Sequence, residues 1–95
     1  MERGEGDKDQ PKIKYLTLDI LKPHFPSIVE LSKVIAANVD GVEKVMSEIV
    51  EMDQDTESIK MQVYGSDVNL DKLIEVIRDF GASLHSIDEV IVENS

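Results

Sequence analysis

Cysteine and tryptophan are both missing from this 95-residue chain, and two phenylalanines and two tyrosines supply all of its aromatic chemistry besides histidine. Without a thiol there can be no disulfide, thiolate metal site, iron–sulfur cluster or cysteine nucleophile, which suits a reducing compartment. Long apolar runs are lacking too. No stretch approaches the ~20 residues of a membrane span, and the opening "MERGEGDKDQPK" contains no signal-type apolar segment. The expectation is a soluble, cytoplasmic protein with no membrane contact. Positive charge is also in short supply: 10 basic residues face 20 acidic ones, for a net −10. Residues 1–12 hold four acids and three bases, so −9 of that charge lies on the rest. Such a surface repels phosphate backbones, and no nucleic-acid partner is expected.

What is present is a globular composition, 41% hydrophobic and 32% charged. A chain this short forms one small domain and buries roughly 60–65% of its unfolded surface, so association between copies is expected to support it. Residues 1–12 are polar and aperiodic, and are expected to be a disordered charged tail before a single domain over 13–93.

In "IKYLTLDIL" (13–21), Leu16, Leu18 and Ile20 alternate with Tyr15, Thr17 and Asp19, which is a strand with one buried face. Ser27 and Glu30 have capping-box spacing and open a helix to about Asn38, with Ile28, Leu31, Val34 and Ile35 as its inner stripe. Strands follow over 42–52 and 56–64, joined by the "DQD" turn. Asn69 caps a second helix, in which Leu70, Leu73, Ile74, Ile77 and Phe80 recur at helical spacing until Gly81. A last strand runs over 83–92. The order βαββαβ predicts a ferredoxin-like α+β fold, a four-stranded antiparallel sheet in order 4-1-3-2 with both helices on one face.

This topology sets strand four beside strand one. An expected register of Thr17 against Asp88 puts Asp19 across from Ser86 on the helix-free face, with Lys60 on the other side of Thr17. The heptapeptide "LHSIDEV" (84–90) then reads as a polar patch rather than a catalytic pair. Neighbouring strand residues point to opposite faces, so His85 cannot activate Ser86 unless the strand is bulged there, and Asp88 and Glu89 diverge. Asp19, Ser86 and Asp88 on the open face, with His24 and His85 at the same end of the sheet, are the candidate ligand-binding residues. Asp19 and Asp88 would be the ligands of a hard cation, Ca2+ or Mg2+. Asp53, Asp55 and Glu57 lack the glycine and distal glutamate of a calcium loop and are expected to be solvated turn residues. Met46, Val50 and Met52 are expected to form an apolar stripe on one face of an edge strand, a surface that suits a homo-oligomer.

The segments "LTLDILKPH", "GVEKV", "VYGSDVNLDKLIEVI" and "GASLHSIDEV" resemble the small archaeal proteins grouped as domain of unknown function 211, over about residues 13–92. The resemblance implies a ferredoxin-like fold and no particular activity. Its first and last segments contain Asp19, His24, His85, Ser86 and Asp88. Two readings follow. One is a non-catalytic oligomeric module that binds a small polar ligand or cation. The alternative is a small metal-assisted enzyme using the Asp19/His24/His85 end of the sheet. The first is favoured, because no nucleophile has a base in reach and no glycine-rich phosphate loop exists.

Overall fold

A computed structural model describes residues 10–94. The tail expected to be disordered lies mostly outside the described residues. The elements are β1 (Pro11–Pro23), α1 (Ile28–Asn38), β2 (Val42–Met52), β3 (Thr56–Gly65), α2 (Leu70–Phe80) and β4 (Ser83–Asn94). The sheet is antiparallel in order β2-β3-β1-β4. This is the expected ferredoxin-like α+β fold. Strand β1 starts at Pro11, two residues before the alternation becomes legible, because Pro11 and Lys12 pair with Asn94 and Glu93 of an equally extended β4.

Local chemistry explains the helix ends. Ser27 Oγ accepts the amide of Glu30 at 3.3 Å and Asn69 Oδ1 that of Lys72 at 3.0 Å, each satisfying an otherwise orphan donor. Gly81 closes α2 in the left-handed region at φ 99° and donates to the carbonyls of Arg78 and Ile77. Between sheet and helices, Leu16, Leu18 and Ile20 of β1 and Ile59, Met61 and Val63 of β3 are buried against Leu31, Ile35, Leu73 and Ile77. Ser32 of α1 meets Ser47 of β2 at 2.7 Å, which fixes α1 over that edge of the sheet.

Both edge strands expose large apolar side chains among their charged ones. Along β2 the register slips between Ile49 and Glu51, leaving Val50 as the extra residue of a bulge. Met46 therefore lies opposite Gln62 on the open face, whereas Met52 lies opposite Glu57 on the helix side. The three residues are exposed, but they do not form the single-faced stripe expected, because the bulge inverts the alternation. On β4, Ile87 and Val90 pair with the core residues Leu18 and Leu16, and Val92 with Ile13, yet all three remain exposed.

Candidate functional site

The helix-free face is organised by irregularities of β4. Against β1, the register runs Thr17↔Glu89, Leu18↔Ile87, Asp19↔Ser86 and Ile20↔Leu84, so that Asp88 and His85 are each an extra residue in the strand. The expected facing of Asp19 and Ser86 is found. Thr17, however, pairs with Glu89 rather than Asp88, and its other neighbour is Gln62, while Lys60 stands opposite Asp19. The strand is thus bulged at His85, the one condition under which strict alternation fails. His85 Nδ1 lies 3.4 Å from Asp19 Oδ2. Ser86 Oγ donates to Asp88 Oδ1 at 2.8 Å and is not paired with His85. Asp19 and His85, with Leu21 and Ser58, line a shallow depression of ≈ 240 Å³.

Asp88 and Glu89 do not separate to opposite faces as alternation requires, since the extra residue lets both reach open-face hydroxyls. Asp88 takes that of Ser86, and Glu89 Oε1 that of Thr17 at 2.8 Å. Thr17 is buried and also lies 2.8 Å from the Tyr15 hydroxyl, to which Gln62 Nε2 donates at 2.7 Å. A threonine hydroxyl carries one proton and a carboxylate can only accept, so Tyr15 donates to Thr17 and Thr17 to Glu89. The row Gln62–Tyr15–Thr17–Glu89 fixes the middle of the open face. The Tyr15 ring is tilted against that of Tyr64 at 4.9 Å, and Lys44 lies 4.7 Å over the Tyr64 ring.

His24 is engaged elsewhere. Its Nδ1 is 3.1 Å from Glu57 Oε2, and its Nε2 is 3.0 Å from the carbonyls of both Asp53 and Gln54. Glu57 is buried, unlike the exposed Asp53 and Asp55, so the hairpin acids are not all solvated as expected. The reason is its parity, which places it on the helix side opposite Lys22. Lys22 has no exposed surface, and its Nζ reaches Glu57 Oε1 at 3.0 Å and the carbonyls of Pro23, His24 and Pro26 at 2.7, 3.3 and 2.6 Å. The bond to His24, then that to Lys22, holds the Glu57 carboxyl below its ordinary 4.5, with burial opposing. The Glu57 bond first, then the Gln54 carbonyl, raises His24 above 6.5, again against burial, and the Asp53 carbonyl adds to the rise.

With this geometry in view, comparison with known proteins gives a consistent result. The model of the family DUF211, described as uncharacterized ArCR, matches residues 14–95. The chain belongs to this family. An uncharacterized protein of Methanocaldococcus jannaschii is 38% identical over 81 residues, covering 83% of this chain and 80% of that protein. Of the sequence-predicted residues in the DUF211 chain, Asp19 meets His85 and Ser86 meets Asp88, two pairs set side by side by the Asp19–Ser86 register. His24 does not join them, and the catalytic alternative needs it there. Among the described residues no three His, Asp or Glu side chains gather as a metal-holding group. No helix among the described residues is long and apolar enough to cross a membrane.

Sequence reading missed Lys22 and took Glu57 for a solvated turn residue. The signal lay in parity, since Lys22 continues Leu16, Leu18 and Ile20, and Glu57 continues Ile59, Met61 and Val63.

Proposed function

We propose that this protein is a non-catalytic, homo-oligomeric module that binds a small polar ligand or a hard cation at the Asp19 end of the open sheet face. The observation that carries the reading is the Asp19–His85 contact at 3.4 Å in a depression that Leu21 and Ser58 also line, with the Ser86–Asp88 pair next to it through the Asp19–Ser86 register. Two carboxylates, a hydroxyl and an imidazole offer oxygen and a single nitrogen, a donor set that favours Ca2+ or Mg2+ over soft metals. An open site with few charged ligands binds weakly.

The test uses calcium alone. At a Kd of roughly 0.1 mM, 1 mM Ca2+ adds about 1.4 kcal/mol, or roughly 6 °C in the melting temperature of a domain this size. Divalent ions also screen a net −10 without any site. Asp19→Asn should therefore lose the increment while Glu75→Gln, on the exposed face of α2, keeps it. Equal increments in both variants would remove the site.

Self-association rests on the large apolar side chains that both edge strands expose. Because β2 and β4 are different surfaces, their pairing between copies is head-to-tail and closes into a ring or continues indefinitely. Light scattering at micromolar protein should return a multiple of 10.6 kDa, and the monomer mass would refute the assembly.

A further inference from the structure

We propose that His24 is a protonation-dependent latch that fastens the β1–α1 loop, and with it the exposed Phe25, to the β2–β3 hairpin. The geometry is independent of the Asp19 site. Both ring nitrogens of His24 face oxygen acceptors only, Glu57 Oε2 on one side and the carbonyls of Asp53 and Gln54 on the other. Only the imidazolium has a proton on each nitrogen, so only the charged ring satisfies both sides. A neutral ring turns a lone pair toward an oxygen at one of them and must let go of either β3 or the hairpin turn.

The loop is otherwise anchored from below. Lys22 Nζ holds the carbonyls of His24 and Pro26, on either side of Phe25, so Lys22 ties the loop to β1 while His24 ties it to the hairpin, and the Phe25 ring stands 84% exposed at its tip. The charged groups bearing on the ring are Glu57 from β3, which attracts, and Lys22 from β1, which shares the same carboxylate and repels. The hairpin contributes carbonyls to the ring, while its Asp53 and Asp55 side chains are exposed. Helix α1 places no charged group in a bond with it among the described residues.

The direction of the pH response follows from His24 being raised and Glu57 lowered. The His24 contribution is complete below the ordinary histidine value of 6.5 and is lost as pH rises through the higher folded value. The Glu57 contribution is present above 4.5 and is lost as pH falls through its lower folded value. The latch is therefore closed across the mildly acidic range and opens on the alkaline side of 6.5.

Nitrogen-15 shifts of the imidazole ring in the full chain, followed by NMR from pH 5 to 9, test this directly. The expected result is an imidazolium at pH 6.5, a midpoint above that value, and amide shifts of residues 24–25 and 53–56 that move with the same midpoint. Glu57→Gln should bring the midpoint down toward 6.5. A neutral tautomer at pH 6.5 in the wild type, or loop and hairpin amides that ignore the His24 titration, would overturn the proposal. The wild-type titration alone decides the matter if the variant fails to fold.

Discussion

Replacing Lys22 with methionine is expected to destabilise the protein by about 3–5 kcal/mol and to lower its melting temperature by more than about 12 °C. The ammonium is completely buried and meets four oxygens. Methionine fills the same volume but leaves the buried Glu57 carboxylate with His24 as its remaining partner, and it removes the donor that the carbonyls of Pro23, His24 and Pro26 share. Removing both charges restores the balance, so Lys22→Met combined with Glu57→Leu should recover much of the loss, as replacement of a whole buried pair often does. Chemical denaturation of the single and double variants measures the difference. A single-variant change within about 0.5 kcal/mol would place the pair with ordinary surface salt bridges.

Gly41→Ala is expected to cost about 4 kcal/mol, a large part of the stability of a domain of this size. Gly41 sits at φ +87°, and an added Cβ would lie 1.9 Å from the Asp67 carbonyl oxygen. That oxygen belongs to backbone that cannot retreat, since Val68 donates to Ile13 and Asn69 to Asp40 across the same junction. Gly81→Ala provides the comparison. Gly81 has φ +99° but open space around its Cβ position, so only the backbone term of roughly 1–2 kcal/mol remains. The excess for Gly41 measures the close approach of the two chain segments, and equal losses in the two variants would mean that the Asp67 segment yields.

The helices and their limits were legible in the sequence because each is marked twice, by an apolar stripe and by a cap. Ser27 and Asn69 open them, and Gly81 has the only freely left-handed backbone at the end of α2. Strand order followed from βαββαβ alone. The finer geometry of the open face was not legible, because the irregular positions of β4, His85 and Asp88, carry no glycine or proline to mark them. Alternation read through "LHSIDEV" consequently sets Thr17 against Asp88 in place of Glu89, and the same failure at Val50 moves Met52 to the other face. Lys22 and Glu57 failed for a different reason. Each looks like a solvated charge when taken singly, and only the pairing of β1 with β3 shows that two opposite charges occupy facing inward positions. His24 was selected for a site at the end of the sheet, and what it does there is bind the hairpin.

Amide chemical-shift mapping of the wild-type protein during a calcium titration tests the proposed binding function most directly. The expected result is a saturable response, with a Kd of about 0.1 mM, confined to Asp19, Leu21, Ser58, His85, Ser86 and Asp88 and abolished in Asp19→Asn. Small, unsaturating shifts spread over the acidic surface, and unchanged in Asp19→Asn, would contradict it.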